Sequence, residues 1–135
     1  MTAERIAAAT GGMLGTAAAT VVTWWAWLGH DDTRTTDPVT HVTSGPYETW
    51  QVVGCVLTLV AVGVVAALLL RPWTVAVAMT VAFTLAWSWR ATSYDNDGLW
   101  PIGALLVFAL TAAWSTVVAF TTAARLRRPT TSVRC

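Results

Sequence analysis

Residues 51–70, QVVGCVLTLVAVGVVAALLL, are twenty consecutive positions without a formal charge, and Arg71, Pro72 and Trp73 follow at once. A helix of this length rises about 30 Å, the thickness of a bilayer's hydrocarbon core. The stretch reads as a membrane span. Inside lipid every backbone N–H and C=O must be satisfied within the protein, so only helices and closed barrels cross. One such segment sets the solvent in which the rest of the chain is read.

Composition agrees. The chain has 135 residues, 56% hydrophobic and 11% charged, against roughly 25% charged in an average soluble domain. That leaves apolar sequence for several spans and little for a soluble domain. All eight basic residues are arginine, and Ala, Val and Thr dominate, the pattern of a GC-rich bacterial genome. The net charge of +1 argues against a nucleic-acid partner, because phosphate binding needs a concentrated basic face.

Upstream, residues 6–28 are rich in Ala, Gly and Thr and become aromatic at Trp24, Trp25 and Trp27. Small residues recur every fourth position at Ala3, Ala7, Gly11, Gly15, Ala19 and Thr23, with Gly11 and Gly15 forming a GxxxG pair. Such a row lets a second helix backbone approach closely, which is how spans associate in lipid. A cleavable signal peptide, cut near residues 17–19, is the alternative reading. Glu4 beside Arg5 and the length of the apolar region argue against it.

Residues 30–46 form a polar loop ending at Gly45 and Pro46. Gly45 as N-cap, Pro46 at the first helical position and Glu48 in the first turn predict that the second helix starts near Pro46. Arg71 and Pro72 leave room only for a tight connection, so residues 73–90 return antiparallel. The alternation in residues 74–89 (TVAVAMTVAFTLAWSW) has the period of a strand. A lone strand among helical spans would leave its edges unsatisfied, so a helix is expected. In that helix Ala76, Thr80, Thr84 and Ser88 make a second small row suited to an interhelical contact. Residues 91–99 read as a second loop, residues 100–124 as the last span, and residues 125–135 as a basic tail.

The expected fold is all-α: one domain, an integral membrane four-helix bundle with spans near 8–29, 47–70, 73–90 and 100–124. Its charges separate by side. One side carries six arginines (Arg5, Arg71, Arg125, Arg127, Arg128, Arg134) against Glu4, a net of +5; the other carries Arg34 and Arg90 against six carboxylates, a net of −4. Cytoplasmic segments retain arginine, so both termini are expected inside, in a bacterial plasma membrane.

Candidate sites are few. Seven of the nine tryptophans (Trp24, Trp25, Trp27, Trp50, Trp87, Trp89 and Trp100) fall at the acidic ends of the four spans. An aromatic belt explains them. The sharper reading is a cage for a cationic or amphipathic solute, built from Trp24, Trp27, Trp50, Trp87 and Trp100 with Glu48 and Arg90 at the same depth and able to pair. No Asp, Glu, Lys or His lies in mid-span, which weakens proton coupling.

Ser93, Asp95, Asp97 and Gly98 resemble half a calcium loop, but its twelfth position is Ala104. His30, Asp31, Asp32 and His41 match no metal-ligand spacing. No Ser-His-Asp set, GxSxG, HExxH or phosphate loop occurs, so neither an enzyme nor a cofactor is expected. Cys55, inside a span, and Cys135, the last residue, are expected to be separate free thiols.

Size and span count are similar to those of the small multidrug resistance transporters, which work through a glutamate embedded in the first span. Residues 6–28 contain no acidic residue, so the similarity covers gross architecture only. The function expected is that of a small accessory or scaffold subunit, associating with itself or with a larger membrane complex.

Overall fold

The computed structural model describes residues 2–31, 35–41, 43–44, 47–94 and 98–127. The chain is helical, with α1 (Ala3–Trp24), α2 (Thr49–Leu69), α3 (Pro72–Tyr94) and α4 (Trp100–Leu126). α1 ends in one wider π-helical turn, Trp25–Gly29. Between α1 and α2 the loop carries a two-residue antiparallel ladder, Thr35 opposite Ser44 and Thr36 opposite Thr43.

Several boundaries differ from those expected. α1 begins at Ala3, because an Ala-rich stretch contains nothing to stop a helix. α2 begins at Thr49 because Glu48, in an extended conformation, takes the N-cap. Its side chain accepts from the backbone N–H of Gln51, while Gln51 Oε1 accepts from the Glu48 N–H at 2.8 Å, completing a capping box. Gly45 and Pro46, the expected starting pair, lie outside the described residues. α3 continues past Arg90 to Tyr94. Thr92 and Ser93 hydroxyls donate to the Trp89 carbonyl at 2.9 and 3.3 Å, and neither Gly nor Pro interrupts the chain before Gly98. The alternating stretch within α3 is helical, as expected.

Three helical segments, Ala3–Gly29, Thr49–Leu69 and Trp100–Leu126, are long and apolar enough to cross a membrane. Each buries one narrow stripe. In α2 it runs Gln51, Cys55, Leu59, Gly63, Ala66 and Ala67, and in α4 Thr111, Ser115 and Ala119, close to the four-residue helical repeat. Large apolar side chains outside those stripes stay exposed, among them Leu57 at 64%, Leu105 at 67% and Leu110 at 69%. That much outward apolar surface suits lipid rather than water.

α3 is of similar length but less apolar than α2 and α4, and the bundle explains why. It packs most extensively on α4 and next on α1, burying Val75, Ala76, Ala78, Met79, Thr80 and Ala82. Small residues on that surface permit close approach, at the expense of hydropathy. α2 packs on α4 and α1. α2 and α3, though joined through Leu70 and Arg71 alone, touch little, so the order around the bundle is α1, α2, α4, α3. Both long loops are at one end; the short α2–α3 link and the outer ends of α1 and α4 are at the other.

Candidate functional site

Two surfaces collect the residues singled out by the sequence: the loop end of the bundle and the outward side of α1.

At the loop end the tryptophans have different fates. Trp24 is 6% exposed and belongs to the core with Leu28, Cys55 and Leu59. Its indole N–H has no hydrogen-bond partner among the described residues. Trp27 lies flat against α2, where Gly54 leaves room for the ring: a Cβ at that position would stand 2.5 Å from it. Trp27 Nε1 donates to Thr58 Oγ1 at 3.1 Å, and Thr58 donates in turn to the Gly54 carbonyl at 2.8 Å. The Trp50 ring meets Trp27 edge-on, with centroids 6.1 Å apart. Trp50 itself is 61% exposed and donates from Nε1 to Glu48 Oε2 at 2.9 Å.

The Glu48 carboxylate, offered by the sequence to Arg90, is thus engaged at its own helix start. Gln51 Nε2 donates to Asp31 Oδ2 at 2.9 Å, tying the first loop residues to α2. On the other side of the bundle Trp87 covers Gly103, whose added Cβ would stand 2.6 Å from the ring. The expected cage is therefore split. Trp24, Trp27 and Trp87 are packing elements, whereas Trp50 and Trp100 are exposed. The signal for this in the sequence is the glycines: Gly54 and Gly103 are the seats of Trp27 and Trp87.

Of the metal-ligand candidates, His30 is exposed, with Nδ1 3.2 Å from the Trp25 carbonyl oxygen. Asp32, Asp95 and Asp97 lie outside the described residues, as does Cys135. Cys55 is a buried free thiol, 2% exposed.

Asp37 organises the first loop. Its Oδ1 accepts the N–H of Val39 at 2.8 Å and of Thr40 at 3.4 Å, and its carbonyl accepts the His41 N–H at 2.9 Å. His41 closes the turn at φ 54°. The Val39 bond first, then the Thr40 bond, hold the carboxyl below its ordinary value of 3.8. The charged form is therefore the one that supports the turn. This support is present above the ordinary value and is lost as the pH falls through the depressed one. Acid titration should shift the Val39 and Thr40 amide resonances together, and Asp37→Asn should abolish that step.

The two small rows separate as well. Ala76 and Thr80 face α4 of the same chain: Thr80 Oγ1 and Ser115 Oγ share a hydrogen bond at 3.1 Å, and Ser115 Oγ reaches the Ala76 carbonyl at 3.5 Å. Thr84 continues the row with a buried Oγ1 that has no partner among the described residues. Beside this contact lies a shallow apolar groove of about 190 Å³, bordered by Val77, Val81 and Phe108. Gly11 and Gly15, in contrast, are exposed, and a Cβ on either would meet nothing within 4 Å. It is Gly12 that α1 uses inside the chain, closing against the Leu70 side chain.

The row of six did not stay on one face because four residues turn a helix by about 40° beyond a full turn. Ala3 through Gly15 point outward, Ala19 is half-buried, and Thr23 is in the core. Thr16, Thr20 and Thr23 return their hydroxyls to the carbonyls of Gly12, Thr16 and Ala19, so the buried threonines of α1 are satisfied within the helix.

These features define a class, an all-helical protein with three helices fit to cross a membrane. No protein-family model, curated protein or solved structure matches the chain.

Proposed function

We propose that all four helices span a bacterial plasma membrane with both termini cytoplasmic, and that the chain is a non-enzymatic accessory or scaffold subunit. Its docking surface is the outward side of α1 around Gly11 and Gly15, and it associates there with itself or with a helix of a larger membrane complex.

The observation that carries this reading is the openness of both glycines. Helices in lipid gain by close backbone approach rather than by hiding apolar surface, so a small-residue face that none of the described residues occupies is suited to another helix. Charge supports the orientation, with a net of +5 at the end carrying the termini and −4 at the loop end. α3 is taken as the fourth span because its less apolar surface is the part covered by α1 and α4.

The same openness makes the test clean. Gly11→Leu with Gly15→Leu places side chains into empty space, so the fold is retained and association alone responds. Native mass spectrometry of the protein extracted gently from its own membrane should show a homo-oligomer or a complex. In the double variant that species should weaken by roughly tenfold or more. An unchanged complex would remove this surface from consideration. A second reading, an oligomeric binder of cationic or amphipathic solutes, rests on the exposed rings of Trp50 and Trp100. Saturable quenching of their fluorescence by such solutes would support it, and a flat response across a broad panel would remove it.

A further inference from the structure

The Trp50 ring is held in place although most of its surface is open. Its Nε1 donates to Glu48 Oε2 at 2.9 Å, and its plane stands at 72° to that of Trp27, with centroids 6.1 Å apart. Trp27 is itself fixed, seated on Gly54 and bonded to Thr58 Oγ1 at 3.1 Å. An exposed indole at the end of an apolar span ordinarily keeps its N–H for lipid headgroup acceptors. Here that donor is spent within the chain, so what Trp50 offers outward is the face of its ring.

The same hydrogen bond sets a carboxylate at the edge of that ring. A cation over the face lies within about 6 Å of the ring centroid and beside the carboxylate. The Glu48 side chain also accepts the Gln51 N–H, so its full negative charge stands against the roughly half positive charge of the α2 N-terminus. Gln51 Nε2 holds a second carboxylate, Asp31, at 2.9 Å. Among the described residues the arginine at this end, Arg90, belongs to α3, which touches α2 little. The local field favours a cation.

We propose that the Trp50 ring face and the Glu48 carboxylate, braced by Trp27, form a binding site for a quaternary ammonium group. Such a group has no N–H to donate, so an aromatic face with a carboxylate beside it suits it better than a hydrogen-bonding site does. A ring already fixed on both sides loses little freedom when the ligand arrives. The ammonium comes from the choline headgroup of a lipid or from a dissolved solute, and the recognition chemistry is the same for both. The inference rests on the solute-binding reading above and places its site at Trp50 with Glu48, away from Gly11 and Gly15.

The test is saturation-transfer NMR on the methyl protons of tetramethylammonium, with the protein in maltoside micelles and empty micelles as the blank. Transfer should saturate with the parent protein. Trp50→Leu should weaken binding about tenfold and Glu48→Gln about fivefold. Glutamine still accepts hydrogen bonds from the Trp50 and Gln51 N–H groups, so that variant removes the charge and keeps the geometry. Trp89→Leu, at an indole 81% exposed with no carboxylate partner among the described residues, should leave binding unchanged. Helicity by circular dichroism should be the same throughout, because Glu48, Trp50 and Trp89 are all exposed. Absence of saturation, or binding by Trp50→Leu or Glu48→Gln equal to the parent's, would overturn the site. Saturable binding that survives Trp50→Leu would do so while leaving the broader solute-binding reading in place. Repeating the titration in phosphatidylglycerol and in phosphatidylcholine nanodiscs separates the two sources. Loss in phosphatidylcholine alone assigns the site to the lipid headgroup, equal binding in both assigns it to a solute, and any other pattern overturns it.

Discussion

Gly54→Leu is expected to destabilise the fold by about 2–3 kcal/mol. The added side chain meets an aromatic ring rather than the movable end of a flexible chain: a Cβ alone would stand 2.5 Å from Trp27 Cη2 and Cζ3. Trp27 has little freedom to retreat. Its Nε1 is bonded to Thr58 at 3.1 Å, and its other side meets the Trp50 ring. Displacing it gives up a hydrogen bond of about 0.6 kcal/mol together with the contact between α1 and α2 at the loop end. Unfolding in mixed detergent micelles, followed by tryptophan emission, should show the lower midpoint. Trp27→Ala in the same background should recover part of the loss by removing the clash. If Gly54→Leu unfolds where the parent does, the ring is not seated on this glycine.

Met79→Ala comes next, with an expected cost of about 2 kcal/mol. Met79 is 1% exposed on α3, and its thioether lies against Gly63 of α2. A Cβ on Gly63 of α2 would stand 3.3 Å from its sulfur and 3.3 Å from Val118 Cγ1 of α4. With α3 in the bilayer, as proposed above, truncation does not transfer apolar surface into water, so the cavity term dominates and the value falls at the low end of the usual range for methionine. Gly63→Ala alone should cost little, since the thioether end can shift by a few tenths of an ångström. Combined with Met79→Ala it should recover part of the lost stability. Strict additivity of the two substitutions would show that the residues do not share a space.

The helices were legible because their signals are local. An uncharged run of twenty residues, the Arg71–Pro72 break and polar loops on either side specify helices to within a few residues at their ends. The ends themselves moved where a side chain out-competed the expected signal, as Glu48 and Gln51 did in capping α2. The candidate site was less legible. Which tryptophan is a packing element and which is exposed depends on Gly54 and Gly103, each of which lies on another helix from the ring it seats.

The sequence by itself determined that this chain is helical, that three of its helices are apolar enough to cross a membrane, and that positive charge gathers at one end and carboxylates at the other. Those properties follow from composition and period along a single chain. Only the tertiary structure decided that α4, not the directly linked α2, is the main neighbour of α3, and that Ala76 and Thr80 are spent on that contact while Gly11 and Gly15 are left open. The physical reason is that helices in lipid meet where their surfaces fit most closely. A small-residue row drifting about 40° per step gives no sign of where along its length a neighbour stands.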